Sequence, residues 1–344
     1  MAQPKAVVIG YGFAGKSFHS YLIGLDSGLE LHGVCSRNPE TRERIRAERG
    51  CKAYAEFDEV LNDPEVDLVV LGTPHNVHCE QAVKALNAGK HVVSDKVMCT
   101  SLAECDQMIA AAEKNDRLLA IFHNRRWDGD YLTVRKLMNE GKLGDLRWLE
   151  MAWQGFGQPN PDRWRSKREM GGGRFFDLGA HMIDQCLMLI PEKVTSVYCR
   201  MHHDYQKVNV ESHVMATLTF SNGATAVIDA SGLCAIPKPR FRLCGTGGAF
   251  VKYGLDPQER AMIEGNIDAA EEPKENYGTY SDGQEETIIP TLPGRWRSFY
   301  EHIADILTKN AEPLVKLSEN RRVMAVFDAA RESAQTGKTI KTDI

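Results

Sequence analysis

Five apolar, β-branched runs punctuate the first part of the chain: KAVVIG (5–10), LELHGVCS (29–36), DLVVLGTP (67–74), HVVSDK (91–96) and RLLAIFHN (117–124). Most are continuous rather than alternating, the pattern of strands covered on both faces. Between them PETRERIRAER (39–49), NVHCEQAVKALNAGK (76–90) and SLAECDQMIAAAEKN (101–115) have helical spacing. Strand and helix in alternation predict parallel βαβ units, hence an α/β domain with a doubly wound parallel sheet over residues 1–124.

Beyond residue 124 the pattern changes. A helical segment (129–140) leads into LRWLEMAWQGF (146–156), VTSVYCRMH (194–202), ESHVMATLTFS (211–221), ATAVIDASG (224–232), RFRLCGT (240–246) and AFVKY (249–253). These runs predict a large, mostly antiparallel sheet with one face against helices, an α+β domain over residues 125–344. The glycines of Cys244-Gly245-Thr246-Gly247-Gly248 fall between two such strands and read as a hairpin turn. Residues 256–284 are charged and turn-rich, an excursion from the sheet. Two amphipathic helices, 296–310 and 319–335, close this second domain.

Composition narrows the function. The chain of 344 residues has 42% hydrophobic and 26% charged residues and a formal net charge of −5. This balance gives no electrostatic reason to expect nucleic acid or an anionic membrane as partner. The start, MAQPKAVVIG, lacks a long apolar h-region, and no stretch approaches the ~20 apolar residues that span a bilayer. Nine cysteines without a CxxC pair fit reduced thiols and a cytoplasmic location.

A chemical signal follows the first strand. Gly10, Tyr11, Gly12, Phe13, Ala14 and Gly15 form GxGxxG between a strand and a helical run, the pyrophosphate-binding turn of a Rossmann domain. The following helix start offers N–H groups and partial positive charge to phosphates. An NAD-selective site usually carries an acid ~20 residues onward, for the ribose 2′-hydroxyl. Here the second strand ends in Cys35-Ser36-Arg37-Asn38. The Ser36 hydroxyl and Arg37 guanidinium suit a 2′-phosphate, so NADP is expected over NAD.

Two further clusters stand out. Asp95 and Lys96 interrupt the apolar run HVVSDKVMC. In GGGRFFDLGAHMID (171–184) three glycines read as a flexible approach to a helix from Arg174 to Ile190. Asp177, His181 and Asp184 then fall at i, i+4 and i+7, on one face. Two chemistries could use that face: an acid/base histidine oriented by a carboxylate, or a metal. One helix supplies at most three ligands and no second cluster has a matching spacing, so His181 with Asp177 as a proton relay is preferred and no metal is expected.

Taken together, the Gly10/Gly12/Gly15 loop, Thr73-Pro74 with His78, Asp95-Lys96, Asn124-Arg125-Arg126-Trp127 and Gly173-(x)3-Asp177-(x)3-His181-(x)2-Asp184 resemble the Gfo/Idh/MocA oxidoreductases. GYGFAGKSFH (10–19) and KYGLDPQE (252–259) are most similar to the NADP-dependent scyllo-inositol dehydrogenase branch. The resemblance implies hydride transfer between the nicotinamide C4 and a secondary hydroxyl of a sugar, cyclitol or related polyol. It makes Lys96, Asp177 and His181 the catalytic set. His181 would take the hydroxyl proton and Lys96 would stabilise the oxygen, although either could be the acceptor.

The same resemblance places Thr73, Pro74, His75 and His78 near the nicotinamide ribose, with His75 and His78 also readable as helix-cap and surface histidines. Asp95, Asn124 and Arg126 join the cofactor contacts, and Arg126 and Trp164 the substrate wall, within a pocket shaped by residues 153–165. Val97 stands where the family has proline, so a trans Lys96–Val97 bond is expected. A homodimer or homotetramer through the C-terminal sheet is implied. Two other readings are an NAD(P)-binding sensor without turnover and an NAD-assisted glycoside hydrolase.

Overall fold

The computed structural model describes residues 2–344, which divide into two compact units. The first comprises the chain up to Asn124 together with Trp296–Arg321, and the second comprises Arg125–Arg295 and Arg322–Ile344.

In the first unit, β1 (Lys5–Ile9), β2 (Glu30–Cys35), β3 (Lys52–Tyr54), β4 (Leu68–Leu71), β5 (His91–Ser94) and β6 (Leu119–Ile121) form a parallel sheet in the order β3-β2-β1-β4-β5-β6. Its centre is fully buried, with Val7, Val8 and Leu68 through Leu71 at 0% exposure. The order reverses between β1 and β4, and the crevice at the strands' carboxyl ends there is the usual ligand position in such sheets. Register makes this edge level: Ile9 pairs with Leu71, Leu71 with Ser94, and Ser94 with Ile121. Gly10, Gly72, Asp95 and Phe122 therefore leave the sheet side by side.

The helix Ser298–Lys309 belongs to this unit, not to the second domain in which its sequence position had placed it. The reason is aromatic. Trp296 stacks on Phe18 at 5.6 Å, Phe299 meets Phe122 edge-on at 4.9 Å, and Tyr300 lies 5.7 Å from Phe122. These rings cover the apolar end of β6, a long-range match that local periodicity does not reveal. The chain then returns to the second unit within the helix Leu317–Thr336.

The second unit is built on nine strands: β7 (Leu146–Gln154), β8 (Val194–His202), β9 (His213–Phe220), β10 (Thr225–Ser231), β11 (Phe241–Gly245), β12 (Gly248–Lys252), β13 (Gly278–Ser281), β14 (Glu286–Ile289) and β15 (Ile340–Lys341). Their order is β14-β13-β12-β11-β7-β10-β9-β8-β15, antiparallel except where β10 runs parallel to β7. Gly245 pairs with Gly248 across a tight β11–β12 hairpin, as the glycine cluster implied. The charged excursion contains β13, which with β14 extends the sheet at one edge. The helix Ala180–Leu189 is buried on all sides, which suits its high apolar content.

Replacing Phe122, 2% exposed, with alanine should cost about 3–5 kcal/mol through lost burial and a residual cavity. Thermal denaturation should therefore show a lower Tm for Phe122→Ala; an unchanged Tm would contradict the aromatic cover.

Candidate active site

The glycine loop joins β1 to a helix whose opening residues, Ala14–His19, form a π-turn before regular α-helix begins at Ser20. Gly10 has φ +92°, a conformation that favours glycine. A side chain on Gly15 would drive its Cβ into the Gly10 carbonyl oxygen, so this glycine lets helix and strand pack. A Cβ on Gly12 would meet nothing within 4 Å. Packing thus explains Gly15, whereas Gly12 leaves open space along the backbone where a pyrophosphate fits. The Tyr11 phenol instead donates to Glu48 at 2.8 Å, so Tyr11 serves the loop through its backbone.

At the end of β2, Ser36 and Arg37 are held by Arg42, whose Nη1 donates to their carbonyls at 2.8 and 2.9 Å. Arg37 is exposed, and the adjacent Asn38 caps the next helix by accepting the Thr41 N–H at 3.0 Å. No carboxylate occupies positions 35–38.

After β4, Thr73 donates its hydroxyl to Gln81 at 2.7 Å, and Pro74 leads into the short turn His75–Val77. His75 and His78 are both buried, their rings edge-to-face at 5.6 Å, so neither is a surface residue. His78 Nε2 lies 2.9 Å from the Thr73 carbonyl and Nδ1 lies 3.0 Å from that of Val97. Burial lowers its pKa against the opposing pull of the Asp95 charge and both carbonyls. Near pH 7 the ring is neutral, its single N–H facing one of two acceptors. His78 thereby bridges the segment after β4 and the segment after β5.

That second segment carries Asp95 and Lys96, 8% and 9% exposed. Asp95 Oδ1 accepts the Lys96 N–H at 2.8 Å, and its Oδ2 lies 3.8 Å from His19 Nε2. Burial would raise the Asp95 carboxyl, but the His19 imidazole, the Lys96 ammonium and His78 hold it well below the usual carboxylate range. The Lys96–Val97 peptide bond is cis, contrary to the trans bond expected from valine. Val97 and Met98 are each 2% exposed, and His78 contacts the Val97 carbonyl. Asn124, also 2% exposed, opens the turn Asn124–Trp127 after β6.

In the second unit, Asp177 lies in a π-turn, Phe175–Gly179, before the α-helix begins at Ala180. The π segment widens the turn that carries Asp177, while His181 and Asp184 lie on the regular helix that follows. Each carboxylate has its own arginine. Arg165 Nε lies 3.4 Å from Asp177 Oδ2, and Arg126 forks onto Asp184 through bonds of 2.9 and 2.6 Å. Arg126, expected at cofactor and substrate, thus commits two guanidinium nitrogens to Asp184. The glycine run is closely packed: Gly173 has φ +112°, and a Cβ there would meet the Glu211 carboxylate at 2.5 Å.

His181 is 6% exposed and stacks on Trp153, centroids 5.9 Å apart. Arg125 and Arg240 also lie against the Trp153 ring, at 4.3 and 5.5 Å. Gln185 links them, donating to the Arg125 carbonyl and accepting from Arg240, both at 2.7 Å. A cavity of about 400 Å³ is lined by Trp153, Asn160, Arg163, Arg165, Arg174, Asp177 and Glu211 among others. Its tryptophan is Trp153, whereas Trp164 carries the Arg165 guanidinium on its ring at 4.7 Å. Trp153, Arg240 and Gln185 lie far apart in sequence, and only Trp153 fell in the stretch expected to shape a pocket.

Residues 5–123 match the family model of oxidoreductases with an NAD-binding Rossmann fold, and residues 131–251 match the GFO/IDH/MocA C-terminal domain. The chain belongs to the GFO/IDH/MocA oxidoreductase family. It is 34% identical to the oxidoreductase YdgJ of Escherichia coli over 97% of both chains. It is 32% identical to scyllo-inositol 2-dehydrogenase (NADP(+)) IolW of Bacillus subtilis, over 98% of this chain and 95% of that one. The solved structure of the oxidoreductase yvaA from Bacillus subtilis superimposes with a TM-score of 0.92 at 28% identity, covering 99% of each chain. This GFO/IDH/MocA member is therefore an oxidoreductase with a Rossmann domain for NAD(P), and among its described residues no helix is long and apolar enough to cross a membrane.

The two glycines give a paired prediction. Gly12→Ala should keep the wild-type Tm and weaken NADP binding by about tenfold, ~1.4 kcal/mol, whereas Gly15→Ala should destabilise the fold by at least the ~1–3 kcal/mol of an overpacked core. Cofactor titration and thermal denaturation of both variants check this; wild-type affinity in Gly12→Ala would contradict the placement.

Proposed function

We propose that this chain is a dehydrogenase or reductase that prefers NADP and moves hydride between the nicotinamide C4 and a secondary carbinol of a sugar, cyclitol or related polyol. The observation that carries the reading is Lys96, a buried ammonium-bearing residue at the carboxyl end of β5, level with the glycine loop and tethered through its N–H to Asp95. The bound nicotinamide supplies the hydride acceptor or donor. As the carbinol carbon loses hydride, its hydroxyl must lose a proton. Lys96 donates a hydrogen bond to that oxygen and stabilises its developing negative charge. His181 takes the proton, and Asp177 stabilises the imidazolium that results.

The NADP preference is supported by Ser36 and Arg37 without a neighbouring carboxylate, and by the printed cofactor of the IolW relative. That relative's name also supports a cyclitol substrate. Thr73, Pro74, His75, His78, Asp95 and Asn124 border the nicotinamide end in this reading, as does Arg126, which also grips Asp184. Trp153 takes the wall role expected of Trp164. Nine cysteines outside any disulfide accord with a reducing, cytoplasmic location. A homodimer or homotetramer through the nine-stranded sheet is part of the same reading, supported by the alternating half-exposed residues of β9.

Cofactor reduction across a panel of scyllo-inositol, myo-inositol and aldoses tests it. Turnover on at least one member is expected, with a lower apparent KM for NADP than for NAD. Lys96→Met and His181→Ala should each lower kcat/KM by about 10²–10⁴-fold. Tight NADP binding without turnover on any member would contradict the proposal and favour a sensor; glycoside cleavage without net cofactor reduction would favour the hydrolase. Light scattering should give a dimer or tetramer, and a monomer would refute the assembly.

A further inference from the structure

Behind Lys96 lies a buried chain of polar groups that the proposed chemistry does not use. The Tyr300 hydroxyl is 2.7 Å from His19 Nδ1, His19 Nε2 is 3.8 Å from Asp95 Oδ2, and Asp95 Oδ1 accepts the Lys96 N–H at 2.8 Å. Tyr300 and His19 are at 0% exposure. The three side chains come from the end of the glycine-loop π-turn, the exit of β5 and the helix Ser298–Lys309.

We propose that Tyr300 and His19 are positioning residues for Lys96: the Tyr300 hydroxyl fixes the His19 imidazole, which orients the Asp95 carboxylate that holds the Lys96 backbone. The inference rests on the reading of Lys96 as a catalytic residue.

Chemistry gives the line a direction. The Asp95 carboxylate beside Nε2 favours the imidazole proton on that nitrogen, which leaves Nδ1 to accept from the Tyr300 hydroxyl. At 3.8 Å that last contact is an ion-pair separation rather than a full hydrogen bond, so it steers the carboxylate by charge and dipole. Burial, followed by the Asp95 charge, raises the Tyr300 pKa well above its usual value, which keeps the phenol a donor. The rings around it confine the imidazole: Phe122 lies 4.6 Å from His19 and 5.7 Å from Tyr300. Aromatic packing alone would be served equally by phenylalanine at 300 and needs no hydroxyl aimed at Nδ1. On the far side His78 contacts the Val97 carbonyl, so the Lys96–Val97 unit is gripped from both ends. The glycine-loop helix that begins the cofactor site therefore also carries, at the end of its π segment, the residue that sets the lysine.

Tyr300→Phe removes only the hydroxyl, and His19→Gln keeps an amide donor toward Asp95 while His19→Leu does not. With the most active polyol of the panel, Tyr300→Phe and His19→Leu should lower kcat by about ten- to a hundredfold, the scale of a misplaced catalytic group, while polyol KM and NADP Kd stay within about threefold. His19→Gln should restore most of kcat. A second readout needs no substrate: the acetylation rate of Lys96 by acetic anhydride, followed by peptide mass spectrometry, should change in Tyr300→Phe and His19→Leu and stay near wild type in His19→Gln. Wild-type kcat and labelling in a folded Tyr300→Phe would overturn the inference while leaving Lys96 catalytic. Full turnover in Lys96→Met would instead overturn the reading beneath it.

Discussion

One buried carboxylate governs the arrangement of the first unit. Asp95 leaves the sheet where solvent is excluded, and an ionised carboxylate there is tolerated only when its charge is answered. It is answered by the backbone N–H of Lys96, by the imidazole of His19 and by the nearby charge of Lys96 itself. Lys96 is its chain neighbour, whereas His19 comes from the helix after the glycine loop. The register of β1, β4, β5 and β6 brings their exits level, and the aromatic helix Ser298–Lys309 seals the space behind them. A fold built to bind a dinucleotide thus also fixes a lysine beside the cofactor's crevice.

The second unit solves a different electrostatic problem. Asp177 and Asp184 are each matched to an arginine, and His181 rests on a tryptophan whose ring also faces two guanidinium groups. Guanidinium groups favour such planar stacking, and their spread charge tolerates burial better than an ammonium would. The stack leaves His181 little freedom to reorient, which suits the proton-accepting role proposed for it. Arg126 has a supporting role here, holding both oxygens of Asp184 with one edge of its guanidinium.

The continuous apolar runs revealed β1, β2, β4, β5 and β6 because burial on both faces leaves no room for alternation. The three-residue β3 is too short to carry a period, and β13 and β14 lie in or beside a charged stretch whose composition hides them. The helix Ser298–Lys309 was legible as a helix, yet the unit it joins depends on rings distant in sequence. Glycine spacing disclosed the phosphate loop since each glycine answers a separate steric demand. The spacing of Asp177, His181 and Asp184 was legible, but the π segment that carries Asp177 was not, because a π-turn has no simple spacing signal. The cis bond before Val97 was hidden for a like reason, as valine gives no hint of it.

The carboxylate itself offers the most direct test. Asp95→Asn keeps the side chain's size and an oxygen that can accept the Lys96 N–H, but removes the charge that faces His19. Steady-state kinetics together with NADP titration should then give a kcat reduced by about tenfold or more, a larger change than in cofactor affinity. Wild-type kcat in Asp95→Asn would contradict the account, because the lysine would then hold its place without the charge.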